Sequence, residues 1–110
     1  MPLFITYASY SQSGVEGMVS NPSDRSKAIE GLLGKAGAKL VAMYMTTGTN
    51  DVVLVSDAKD GTDAVALGMA VASSGSLSNI ETVRAWTSSE FVDIAKKAGG
   101  LVGSYSPPGS

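Results

Sequence analysis

Cysteine and histidine are both missing from the 110 residues. Their absence excludes disulfides, thiolate zinc sites, cysteine nucleophiles and imidazole bases. Charge is scarce too: Asp, Glu, Lys and Arg make up 16% of the chain and leave a net charge of -2. That balance argues against nucleic-acid binding, which draws on a basic surface. Long apolar runs are also lacking. The longest weakly polar stretch, residues 64–72, is about half of what a membrane span needs. No basic segment precedes the apolar Leu3-Phe4-Ile5, so no export signal is read and the cytoplasm is the expected location. No glycine-rich phosphate loop is present. Asp57, Asp60 and Asp63 do not make a calcium loop, because Gly61 and the lack of a closing bidentate glutamate break the pattern. Neither a metal nor a cofactor is expected.

What is present is apolar: hydrophobic residues account for 44% of a chain long enough for one domain. The surface of a small domain is normally about 25–35% charged. A chain that is 16% charged throughout has little to spare for such a surface. Some apolar surface is therefore expected to meet a second subunit. The alternative is that the abundant serine, threonine and glycine supply the missing polarity.

Alternation of Leu3, Ile5 and Tyr7 with Phe4, Thr6 and Ala8 predicts a first strand over residues 3–9. Residues 11–21 read as a polar connection. Asn21-Pro22 reads as an N-cap and first helical position, with Asp24 in the first turn. Ala28, Ile29, Leu32, Leu33 and Ala36 recur at helical spacing, and Gly37 sits where a glycine stop belongs. A second strand over 39–46 sets Leu40, Ala42 and Tyr44 against Val41, Met43 and Met45. A third over 51–56 follows the turn Thr47-Gly48-Thr49-Asn50. Both strands are apolar on two faces, so both faces should be covered. Asp60 or Thr62 opens a second helix running to about Ser73, rich in small residues. A fourth strand over 80–86 places Ile80, Thr82, Arg84 and Trp86 on one face, with Glu81, Val83 and Ala85 on the other. Thr87 and Glu90 form a capping box ahead of an amphipathic last helix.

This order predicts an α+β fold, a ferredoxin-like βαββαβ sandwich with a four-stranded antiparallel sheet plus a C-terminal helix. Residues 1–98 form the domain and 99–110 a Gly/Ser/Pro-rich tail. Both main helices should lie on one face of the sheet. The bare face should then meet its copy in a two-fold dimer.

Candidate functional residues gather in two places. Asp51 and Asn50 sit at the turn between the second and third strands. Asp51 there either bonds nearby backbone donors or accepts a hydrogen bond from a ligand. Arg84 lies mid-strand, where a charge needs a partner or water. It either forms an ion pair, with Asp51 the obvious partner, or grips an anionic or carbonyl group bidentately. Trp86, Tyr7 and Tyr44, with Met43 and Met45, would wall the same region, as core, interface or pocket lining.

The run Tyr44-Met45-Thr46-Thr47-Gly48-Thr49-Asn50-Asp51-Val52-Val53 resembles the signature of the GYD-domain family. Phe4-Ile5-Thr6-Tyr7, Ser23-Asp24-Arg25 and Thr82-Val83-Arg84-Ala85-Trp86-Thr87 agree with it, so the resemblance spans nearly the whole chain. Gly48 and Asp51 fit, whereas Asn50 stands where the family's tyrosine usually does. The resemblance implies a dimeric α/β barrel of ferredoxin-like subunits, mostly bacterial. Its relatives in fold include cofactor-independent monooxygenases, haem-degrading enzymes and stress-induced barrels. The expected function is a homodimer that binds a small apolar or aromatic ligand through Asp51, Asn50, Arg84, Trp86, Tyr44 and Tyr7. One alternative is a cofactor-independent monooxygenase on an aromatic substrate, with Asp51 or Tyr44 accepting the proton. Another is a structural or partner-binding subunit.

Overall fold

The computed structural model describes residues 2–109. The elements are β1 (Leu3–Tyr10), α1 (Gln12–Ser20), α2 (Ser26–Lys35), β2 (Lys39–Met45), β3 (Val52–Asp57), α3 (Gly61–Ala72), β4 (Leu77–Ala85) and α4 (Ser88–Gly99), followed by a 3₁₀ turn over Val102–Ser104. The strands form one antiparallel sheet in the order β2-β3-β1-β4. This is the expected βαββαβ frame, with α1 inserted after β1 and α4 appended.

Residues that face each other across the ladders share a side of the sheet. Phe4 lies opposite Ser56 and Arg84, Thr6 opposite Leu54 and Thr82, and Ala8 opposite Val52 and Ile80. That side is covered by helices. Phe4 packs there with Leu33 of α2, Ala64 of α3, and Ala38 and Ala58 from the connections, edged by Ile29, Leu40 and Leu67. The other side carries Leu3, Ile5 and Tyr7 of β1, Val53 and Val55 of β3, Val83 and Ala85 of β4, and Ala42 and Tyr44 of β2, with charges at Glu81 in the middle of β4 and at Asp57 and Lys39 at the sheet's end. None of these residues is buried, and Tyr44 stands 65% exposed.

Local chemistry accounts for the helix ends. The Asp60 carboxylate accepts from the Thr62 and Asp63 N–H groups at 2.8 and 3.2 Å and opens α3. Thr87 and Glu90 make the capping box at α4. The Thr87 hydroxyl accepts from the Glu90 N–H at 3.1 Å, and Glu90 Oε1 accepts from the Thr87 N–H at 2.8 Å. That backbone donor, and then the Thr87 hydroxyl, hold the Glu90 carboxyl below its ordinary range. Helix α2 ends in a Schellman turn: Gly37, at φ +75°, donates to Gly34 while Ala38 donates to Leu33.

Three local expectations are corrected. Residues 11–21 are not an irregular connection but contain α1. Its apolar residues are only Val15, Met18 and Val19, and tertiary bonds hold it in place. The Ser11 N–H donates to the Ser76 carbonyl at 2.9 Å, and the Ser11 and Ser13 hydroxyls donate to Gly75. A Cβ at Gly14 would overlap the Ser76 carbonyl, so glycine lets α1 closely approach the connection that leads into β4. Pro22 does not begin α2, which starts at Ser26. Asp24 Oδ1 accepts from the Ser26 N–H and hydroxyl at 3.0 and 2.7 Å, a local turn that competes with helix. Finally, a bulge at Val41 breaks the simple alternation of β2. Leu40 opposes Ser56 and joins the covered side, whereas Ala42 and Tyr44 lie on the bare one.

The chain is elongated, 60 × 33 × 22 Å with a radius of gyration of 17.8 Å. A compact domain of this length has a radius of gyration of about 13 Å. No described residue of α4, or of the chain after it, is buried, and Phe91 and Val92 of that helix are exposed. The accessible surface is 7424 Å², against about 5,700 Å² for a compact monomer of this mass. Among the described residues no helix is long and apolar enough to cross a membrane.

Candidate functional site

Between the covered side of the sheet and helices α1, α2 and α3 lies a cavity of about 380 Å³. This falls within the range of small-molecule pockets, roughly 300–1,000 Å³. Small residues on the surrounding elements leave the space open: Ala8 on β1, Gly14 and Gly17 on α1, Ala64 and Gly68 on α3. The floor is Thr6, Met43, Val52, Leu54 and Ile80, and the walls include Met18, Ile29, Leu32 and Leu67. The lining is therefore apolar over most of its extent.

Its polar groups are few. Thr6 and Thr82 pair their hydroxyls at 3.0 Å on the floor. Ser56, 4% exposed, is buried at the end of the sheet where Phe4 lies. Ser13, Asn21, Ser23 and Arg25 stand on the helix side, and among the described residues Arg25 is the only charged one that lines the cavity. The carboxylate of its neighbour Asp24 is turned onto Ser26. The Ser26 hydroxyl, and then its N–H, hold the Asp24 carboxyl below its ordinary range.

None of the six residues expected from sequence lines this cavity. Asp51 ties the β2–β3 turn to the end of β1. Its Oδ2 accepts from the Tyr10 N–H at 2.9 Å, its own N–H donates to Ala8, and its carbonyl accepts from Thr46. Asn50 continues the knot: Oδ1 accepts from the Ser9 hydroxyl at 3.4 Å, and its carbonyl accepts from the Thr46 hydroxyl at 2.7 Å. Tyr7 and Tyr44 are both on the bare side, flanking Val53.

Arg84 lies at the opposite end of the sheet, across from Phe4. Its guanidinium sits 4.5 Å from the Trp86 ring centroid and 5.8 Å from that of Phe4. It donates to the Leu3 and Ala85 carbonyls. Arg84 is level with Phe4 on β1, whereas Asp51 bonds to Ala8 and Tyr10, which places the two about 15 Å apart at strand rise. They do not meet, so the structure groups Asp51 with Asn50, Arg84 with Trp86, and Tyr7 with Tyr44.

The role of Asp51 as a backbone acceptor has a measurable consequence. Asp51→Ala leaves the Tyr10 N–H without its partner and should cost about 1–3 kcal/mol of stability. Asp51→Asn keeps an acceptor oxygen and should cost about half as much or less. Urea unfolding of the two variants checks this, and equal losses would contradict it.

No signature in the sequence points to the cavity, because its residues are ordinary core types. Arg25 carries no sequence signal beyond its place in the run Ser23-Asp24-Arg25. Among the described residues no cluster of carboxylates could hold a metal ion.

The sheet order, the helices on one side and the antiparallel pairing define an α+β protein of the ferredoxin-like class. The crystal structure of TTHA0845 from Thermus thermophilus is similar in fold, with a TM-score of 0.51 at 16% identity, covering 80% of this chain and 96% of that one. The family model of the GYD domain matches residues 4–95, and the chain belongs to the GYD-domain family. No curated protein sequence matches it.

Proposed function

We propose that this protein is a homodimer that binds a small apolar or aromatic molecule in the cavity between its sheet and helices. The observation that carries the binding reading is the cavity itself, about 380 Å³ with a mostly apolar lining. An apolar lining open to water gains from a ligand that covers it, since apolar surface removed from water is stabilising. Binding is favoured over turnover because the described lining holds no carboxylate. The two residues expected to accept a proton, Asp51 and Tyr44, both lie away from the cavity, which leaves Tyr10 as the one phenol in its described lining.

Two observations support the dimer. One is the bare side of the sheet, which is apolar along Leu3, Ile5, Val53, Val55 and Val83 and carries charge at Glu81, Asp57 and Lys39. The other is the excess accessible surface, roughly 1,700 Å² per chain over a compact monomer. An interface of standard size needs only about 800 Å² from each partner. The cytoplasm is the proposed location on the sequence grounds given above.

A neutral apolar dye, N-phenyl-1-naphthylamine, tests the cavity. The wild type should bind it saturably at one site per chain. Ala8→Leu and Ala8→Phe, which fill the cavity from its floor, should weaken binding progressively, the larger by about tenfold or more. Absence of saturable binding in the wild type, or equal binding in all three proteins, would contradict the reading.

A further inference from the structure

The cavity carries one charge. Of the described residues that line it, only Arg25 belongs to the charged types, and no carboxylate shares the lining. Arg25 precedes α2 and also lines a smaller adjoining hollow with Asp24, Met18, Met43 and Met45, so it stands over the β2 edge of the site. The nearest acid in sequence, Asp24, is committed to Ser26 by two hydrogen bonds. The other polar lining on that side consists of the neutral groups Ser23 and Asn21, whereas the Ser13 hydroxyl donates to the Gly75 carbonyl ahead of β4 at the opposite edge. From there the floor runs along β3 through Val52 and Leu54 to Ser56, about 13 Å at strand rise.

We propose that the ligand is an amphiphilic monoanion, a medium-length carboxylic acid. Its apolar body would lie on Val52, Leu54 and Met43, and its carboxylate would be held by Arg25. This rests on the binding reading above and adds to it the ligand's charge and orientation. A planar guanidinium matches a carboxylate with two parallel hydrogen bonds. The hydroxyl and amide groups beside it supply further neutral donors. One cation balances one negative charge, whereas a phosphate monoester would bring nearly two and leave the second unmatched in an apolar lining. Octanoate fits the length from Arg25 toward Ser56, and 1-octanol is its neutral counterpart of nearly equal size.

Calorimetric titration of wild type and Arg25→Gln with both compounds tests the assignment. Wild type should bind octanoate at least about tenfold more tightly than 1-octanol, and Arg25→Gln should erase that preference while keeping 1-octanol affinity within about twofold. Retained 1-octanol binding also shows that the variant is folded, since Arg25 is exposed and outside the core. If wild type binds 1-octanol as well as octanoate, the carboxylate assignment fails and the cavity reading stands. If Arg25→Gln keeps the preference, Arg25 is not the anion's partner and the assignment fails. If wild type binds neither compound, the cavity reading fails and this assignment falls with it.

Discussion

Val83→Glu is expected to turn a dimer into a monomer. Val83 lies near the end of β4 on the bare side, directly opposite Ile5 and two residues from Glu81, and is 37% exposed in the single chain. If that side faced water, the substitution would place a charge at a solvent-reached position and shift stability by about 0.5 kcal/mol or less. If a second copy covers it, each subunit brings an unpaired carboxylate into an apolar contact. The desolvation cost there is several kcal/mol per ion. The dimer dissociation constant should then rise at least about 100-fold, equivalent to about 2.7 kcal/mol. Val19→Glu is the matched control, because Val19 is 75% exposed on α1, away from the bare side. Sedimentation velocity should show Val83→Glu as a monomer and Val19→Glu unchanged. Identical behaviour of the two variants would remove this side of the sheet from any interface.

Phe4→Ala should be the most destabilising single truncation on the covered side. The ring is 6% exposed and forms the centre of the small core with Leu33, Ala38, Ala58 and Ala64. It also lies beneath the Arg84 guanidinium. Removing a buried phenyl group costs about 3–5 kcal/mol, a large share of the roughly 5–15 kcal/mol that holds a domain together. The other members of that core are mostly alanines, whose short side chains cannot reach into the space it leaves. For a domain of this length the loss corresponds to a fall in Tm of at least about 12 °C. Because a dimer's stability depends on concentration, wild type and variant must be compared at one protein concentration. A loss below about 1 kcal/mol would mean that the helix-covered side is not the core.

The fold was legible where one physical signal acted alone. Alternation along Leu3–Tyr10 marked the central strand, and the Thr87–Glu90 box, the Asp60 cap and the Gly37 turn marked helix ends because each depends on a few adjacent residues. Reading failed where long-range contacts decide. Helix α1 carries only three apolar residues and is held by bonds to Gly75 and Ser76, more than sixty residues away in sequence. The β2 bulge was hidden because both sides of that strand are apolar, so the parity change at Val41 leaves no trace in the pattern.

The site divides the same way. Asp51 was visible as a turn residue, and its bond to the Tyr10 N–H matches the structural role weighed for it. The cavity was invisible. It is a volume left by Ala8, Gly14, Gly17, Ala64 and Gly68 when three helices settle on a sheet, and no spacing of residues encodes a volume.

The proposed dimer sets one side of the sheet against a second copy of the chain. Native mass spectrometry of freshly purified wild-type protein at micromolar concentration tests this most directly. The predicted result is a species of twice the 11.2 kDa chain mass. A single 11.2 kDa species would contradict it and leave the apolar side of Leu3, Ile5, Tyr7, Val55 and Val83 facing water.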